Sequence, residues 1–147
     1  VIAGEAAAVA RAIAIATSKG ARRALALPIS VPAHSSLMQP AADQLRVRLE
    51  STAFAPPAGV AVYGVDVKTH TNADAIRAAL VKQLYTPVYW AATVRTMIAA
   101  GATQIVECGP GKVLTGLNRR VDKNRDLKMI ALEEPAAFDD ALAGLRL

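Results

Sequence analysis

Stretches of helical period alternate along this sequence with short β-rich apolar runs, which predicts an α/β fold organised around a parallel layer. Three observations carry the expectation. Apolar residues return at spacings of three and four in several stretches; Ile105-Val106 and the 128–132 run are too short for helices; and Gly, Pro or Asn stands at most of the joints between them.

Val1-Ile2-Ala3-Gly4 reads as a strand already under way, with no initiator Met and no signal peptide, so the chain is expected to start inside a domain. Val9, Ala12, Ile13 and Ala16 predict a helix with Gly20 as its stop, followed by a strand over 24–29. Pro28 and Pro32 stiffen the exit towards His34 through their fixed φ. Met38, Ala41, Ala42, Leu45 and Leu49 form the next helical stripe, broken by Pro56-Pro57 and Gly59 ahead of a strand at about 60–65. Asn72 is placed to cap a helix bearing Ile76, Ala79, Leu80 and Leu84, with Pro87 to end or bend it. A further helix carries Trp90, Val94, Met97 and Ile98 and stops near Gly101. A buried strand over 104–108 leads through Gly109-Pro110-Gly111 to a helix packed through Leu114, Leu117 and Val121; a strand over 128–132 and a helix marked by Phe138, Ala141, Leu142 and Leu145 complete the order.

Composition excludes several classes. At 53% hydrophobic over 147 residues the chain has the core material of one or two globular units, which argues against disorder. No apolar stretch approaches the roughly 18 residues a membrane span needs. The single cysteine, Cys108, excludes an internal disulfide and fits a reducing cytosol, and His34 and His70 are not at metal-ligand spacing. The net charge of +5 favours an acidic partner, but the basic residues are dispersed with little aromatic interleaving, so nucleic acid is poorly supported.

Two motifs invite chemistry. His34, in a loop between an apolar run and an amphipathic stripe, is placed for proton transfer, although residue chemistry alone leaves a structural or surface histidine open. Gly109-Pro110-Gly111-Lys112 suggests a phosphate loop, but one residue separates its glycines where a P-loop needs four before Gly-Lys, and Val113 follows the lysine. A tight turn feeding a helix explains it.

Four segments in register carry a resemblance: 27–43, which reads Leu-Pro-Ile-Ser-Val-Pro-Ala-His-Ser-Ser-Leu-Met-Gln-Pro-Ala-Ala-Asp; Thr71-Asn72-Ala73-Asp74-Ala75-Ile76-Arg77; Gln83-Leu84-Tyr85-Thr86-Pro87-Val88-Tyr89-Trp90; and 107–117, which reads Glu-Cys-Gly-Pro-Gly-Lys-Val-Leu-Thr-Gly-Leu. Together they are similar to bacterial malonyl-CoA:acyl carrier protein transacylases, over the C-terminal part only. The resemblance implies that residues 1–30 are the latter half of a small ferredoxin-like subdomain and 31–147 the C-terminal part of a hydrolase-like parallel α/β acyltransferase domain.

It further implies that His34 is the general base, that the backbone carbonyl of Gln83 orients it, and that Gly109-Pro110-Gly111 borders the cleft. The family's Gly-His-Ser-x-Gly nucleophile is absent: Ser18, Ser30, Ser35, Ser36 and Ser51 all lack that setting. The early glutamine-rich motif and the carboxylate-binding arginine are absent too, so the expected partner is an N-terminal part carrying the serine, and the isolated chain is expected to be inactive. Malonyl-CoA is the implied substrate, with no permanently bound cofactor and no metal, in a cytoplasmic setting. Acyl carrier protein is the implied partner, with no nucleic acid and no membrane; its acidity against the chain's basic charge makes Lys19, Arg22, Arg23 and Arg46 the first candidates for the docking face. Ser35 stands where close relatives often have Cys, and Tyr63-Gly64 replaces an Asn-Asn pair. Val31-Pro32-Ala33-His34 separates the chain from polyketide acyltransferases, whose segment reads His-Ala-Phe-His or Tyr-Ala-Ser-His; a polyketide-type part and a non-catalytic carrier-binding module are the alternatives.

Overall fold

The computed structural model describes residues 1–59 and 61–144. Contacts divide the chain into two compact units, Val1–Val88 and Tyr89–Leu147. Helices and a parallel strand pair make it an α/β protein.

In the first unit, α1 (Ala6–Ser18) is an alanine-rich helix closed by paired reverse bonds, from the Gly20 N–H to the Thr17 carbonyl and from the Ala21 N–H to the Ala16 carbonyl. Gly20 supplies the left-handed φ of 86° that this ending requires. A short 3₁₀ turn (Ser36–Met38) leads into α2 (Gln39–Glu50), whose stripe of Ala41, Ala42, Leu45 and Leu49 faces inward with Ala42 fully buried. After the hairpin of β1 (Val62–Tyr63) and β2 (Lys68–Thr69) comes α3 (Ala73–Lys82). The Asn72 side chain accepts the Ala75 N–H at 2.8 Å and caps α3, worth about 1 kcal/mol relative to alanine. Ile76 and Ala79 carry its buried face, and α2 packs on it. Arg77 pins the two helices: its guanidinium donates to the Leu49 and Thr52 carbonyls at the end of α2 and stacks over Phe54.

The second unit is a strand–helix–strand crossover with flanking helices. α4 (Trp90–Ala99) ends at Gly101, φ 95°, with the same paired bonds as α1. β3 (Gln104–Glu107) and β4 (Lys128–Ala131) pair in parallel, Gln104 opposite Lys128, and α5 (Val113–Val121) joins them. The Trp90 indole N–H donates to the Asn118 side-chain oxygen at 2.9 Å and ties α4 to α5. In α6 (Pro135–Gly144), the Ala141 carbonyl accepts from the Gln104 side chain.

Several expectations are corrected. The strands expected at 1–4 and 24–29 do not form: no neighbouring strand among the described residues takes their backbone bonds, and the Ile29 N–H instead turns back to the Leu27 carbonyl across Pro28. The strand at 60–65 shrinks to Val62–Tyr63 because the chain turns at Gly64, with the Val67 N–H bonded to the Tyr63 carbonyl; Val60 lies outside the described residues. On α5 the expected face holds only at the half-buried Val121: Leu114 and Leu117 are exposed, whereas Thr115 and Asn118 are buried and hold polar partners. Phe138 and Leu142 of α6 are exposed while the small Ala141 packs inward; Leu145 lies outside the described residues.

Candidate active site

His34 occupies the turn between the segment 24–33 and the 3₁₀ entry to α2. Three bonds hold it. Its main-chain N–H donates to the Leu84 carbonyl at 2.9 Å, its ring Nδ1 lies 2.7 Å from the Gln83 carbonyl oxygen, and the next residue, Ser35, closes the turn by donating its hydroxyl to the Pro32 carbonyl at 2.7 Å. Among the described residues His34 is one of two non-glycine residues with positive φ, at 62°, so its backbone is held in a sparsely populated region by these contacts.

The acceptors come from the end of α3. Gln83 is its C-terminal cap, and the last carbonyls of a helix have no intrahelical donor, so they are free for the imidazole and for the His34 N–H. A carbonyl oxygen can only accept. Nδ1 must therefore carry the hydrogen in this contact, which leaves the Nε2 of the neutral ring as a bare lone pair on an exposed side chain. The structure thus brings together His34 and the Gln83 carbonyl, residues 49 positions apart, in an arrangement able to accept a proton.

Leu84 and Ser35 were not assigned roles from sequence. A main-chain carbonyl has no residue-type signature, and a hydroxyl bonded three residues back resembles any turn serine. A groove of about 430 Å³ lies between α2 and α3, but His34 does not line it, and its Arg46 and Arg77 are already paired with Asp43 and Asp74. Lys19, Arg22 and Arg23 are exposed around the end of α1.

The glycine turn in the second unit belongs to a different device. Glu107, at the end of β3, accepts the Leu114 N–H at 3.0 Å and the Thr115 N–H at 2.7 Å, filling with its own carboxylate the place a phosphate would take at the start of α5. Burial pushes the Glu107 carboxyl up, but the N–H groups of Thr115, Leu114 and Val113 and the Thr115 hydroxyl outweigh it and hold it below the ordinary carboxylate value. Gly109 and Gly111, at φ 152° and 80°, let the chain turn between strand and helix. Glu107 received no role from sequence, although an acid ending a buried strand just before a glycine turn and a helix is the available signal.

His70 is occupied structurally: its Nε2 lies 2.9 Å from the Asp66 carboxylate and its ring packs on Tyr63, within the β1–β2 hairpin. Among the described residues no cluster of three His, Cys, Asp or Glu could hold a metal, and no helix is long and apolar enough to cross a membrane.

No family model matches the chain. It is 52% identical over 142 residues to the malonyl CoA-acyl carrier protein transacylase of Escherichia coli strain K12, covering 97% of this chain and 45% of the relative. It is 38% identical over 146 residues to the enzyme of that name from Bacillus subtilis. Among solved structures, it matches a malonyl-transacylase in complex with a type II polyketide acyl-carrier protein at TM-score 0.90 and 46% identity, over 96% of this chain and 45% of that one. The malonyl-CoA:acyl carrier protein transacylase of Xanthomonas oryzae pv. oryzae matches at TM-score 0.90 and 44% identity, over 96% and 44%. The chain therefore spans about half the length of the relatives it matches.

Proposed function

We infer, for a chain that belongs to the malonyl-CoA:acyl carrier protein transacylase family, that it supplies the proton-transfer half of an enzyme moving a malonyl group from coenzyme A to the phosphopantetheine thiol of acyl carrier protein, as a step of fatty acid biosynthesis in the cytoplasm. The observation that carries this reading is the bond from Nδ1 of His34 to the Gln83 carbonyl, which leaves Nε2 ready to accept a proton.

His34 is the general base and the Gln83 carbonyl its orienter. In the first half-reaction Nε2 takes the hydroxyl proton of the nucleophilic serine, whose oxygen bonds to the malonyl carbon; the thioester C–S bond breaks and the coenzyme A thiolate leaves with that proton. In the second half Nε2 takes the proton of the carrier thiol, its sulfur attacks the acyl-serine, and the serine oxygen recovers a proton from the imidazolium. The serine and its oxyanion donors lie outside this sequence, so their polypeptide is a required partner. No step calls for a bound cofactor or a metal. Acyl carrier protein is the second partner, in keeping with the carrier bound to the solved relative.

The test is turnover. The purified 147-residue chain is expected to transfer no malonyl group, whereas the same chain joined to the part of the Escherichia coli relative that it does not match is expected to do so. In the joined enzyme, His34→Ala should lower turnover about a thousandfold or more, since one ring serves both half-reactions. Near-parental turnover of that variant would reassign His34 to structure.

A further inference from the structure

Ser35 stands immediately before the 3₁₀ turn Ser36–Met38, with the extended backbone of a helix N-cap, φ −127° and ψ 163°. A serine in that place ordinarily turns its hydroxyl forward onto a free N–H of the first turn. Ser35 makes no such cap. Its half-buried hydroxyl points back and donates to the Pro32 carbonyl at 2.7 Å, while the 3₁₀ turn is closed by main chain alone, from the Met38 N–H to the Ser35 carbonyl at 3.0 Å. The hydroxyl is therefore spent on the turn that holds His34. Nor is it placed as a nucleophile, since its hydrogen is committed to a carbonyl and not to the imidazole.

The bond spans Pro32-Ala33-His34-Ser35, and the third residue of that turn is His34, at φ 62°. A positive φ at the third place of a turn suits glycine or asparagine, and a bulkier residue keeps it only where its surroundings fix it from several sides. Three sides are fixed here. Pro32 has a locked φ, the Leu84 carbonyl takes the His34 N–H at 2.9 Å, and the Ser35 hydroxyl ties the far end of the turn back to its start. Only two side-chain torsions join the imidazole to that backbone, so relaxation of the turn would carry Nδ1 away from the Gln83 carbonyl, 2.7 Å distant. We propose that Ser35 is a positioning residue for the base: by holding the Pro32 carbonyl, its hydroxyl keeps His34 in the left-handed conformation that sets Nδ1 on the Gln83 carbonyl and presents Nε2 to the nucleophilic serine. The proposal rests on the reading of His34 as the base.

The test is a double-mutant cycle on malonyl transfer in the 147-residue chain joined to the unmatched Escherichia coli portion. Ser35→Ala should lower kcat about tenfold and leave the KM for malonyl-CoA within about twofold, because the hydroxyl acts on the placing of the ring and not on substrate binding. Ser35→Thr keeps the hydroxyl and suits the extended backbone at that position, so its kcat should stay within about twofold of the parent. In the His34→Ala background, Ser35→Ala should cost nothing further, since the group it positions is gone. A kcat within twofold of the parent in Ser35→Ala, or an equal fall in Ser35→Ala and Ser35→Thr, would overturn the proposal. A further tenfold loss on top of His34→Ala would overturn it too, because a residue that merely supports the fold lowers turnover whether or not the imidazole is present. His34→Ala alone separates the two readings: near-parental turnover there defeats the base and the proposal with it, whereas a thousandfold loss beside an unimpaired Ser35→Ala defeats only the role of Ser35.

Discussion

Substitution around Gln83 separates a backbone orienter from a side-chain one. The structure uses only the main-chain oxygen of Gln83, at 2.7 Å from the His34 ring, and the Gln83 side chain holds no hydrogen bond among the described residues. Gln83→Ala keeps a residue that favours the helical φ of −61° and ψ of −23° found there, so the carbonyl stays in place. In the joined enzyme turnover should change by less than about threefold, or about 0.7 kcal/mol on the barrier, against roughly 4 kcal/mol for the thousandfold expected of His34→Ala. Leu84→Pro perturbs the carbonyl without altering residue 83. Proline disfavours the α region for the residue before it and pushes its ψ to about +120 to +160°, so the Gln83 carbonyl would swing away from the imidazole. Leu84→Ala controls for the lost side chain. Steady-state malonyl transfer to carrier protein should fall about a hundredfold or more for Leu84→Pro and little for Leu84→Ala, with folding checked by circular dichroism. A loss in Gln83→Ala as large as in His34→Ala, or parental turnover in Leu84→Pro, would refute the backbone orienter.

Asn118→Ala removes a 2% exposed acceptor and leaves the Trp90 indole N–H unpaired, at about 1–3 kcal/mol. The only tryptophan reports on it, and for a chain of 147 residues the fluorescence melting midpoint should fall by about 2–4 °C per kcal/mol. Glu107 has a folded value below its unfolded one, so its stabilisation is full above the ordinary carboxylate value of 4.5 and is lost as pH falls through the lower folded value. Glu107→Gln should therefore be less stable than the parent at pH 7 and converge on it in acid, as read by Trp90 emission; a gap unchanged in acid would contradict the charged cap. Arg22→Glu with Arg23→Glu should raise the Michaelis constant for carrier protein in a salt-dependent way and leave malonyl-CoA hydrolysis almost unchanged; equal losses in both assays would misplace the docking face.

Where elements can be closed by their own residues, the sequence was readable. Asn72, Gly20 and Gly101 act through bonds within five residues of themselves, so each helix end they mark is found where the pattern puts it. A strand is a different object, because its bonds belong to a neighbour. The runs 1–4 and 24–29 have the composition of strands and no neighbour among the described residues, while 104–107 and 128–131 find each other across α5 and form. The face of α5 was misread for a related reason. Periodicity ranks Leu114 and Leu117 as core, but the burial of Thr115 and Asn118 follows from bonds to Glu107 and Trp90, which hydrophobicity does not score.

The site divides in the same way. An imidazole in a proline-stiffened loop carries chemical meaning in its own side chain, but its proposed orienter does not, since every residue has a main-chain carbonyl to offer. Gln83 could therefore be reached only by resemblance, and its identity says little about its role. What the position has to preserve is a helix that ends at Lys82 with residue 83 still in the α region, so that its free carbonyl points at residue 34. Side-chain changes at 83 should then be tolerated among good helix formers, while changes that unwind the last turn of α3 should act on His34 from a distance. The constraint lies on the Asn72 cap, the buried Ile76 and Ala79 and the Arg77 clamp, which together fix where that turn ends.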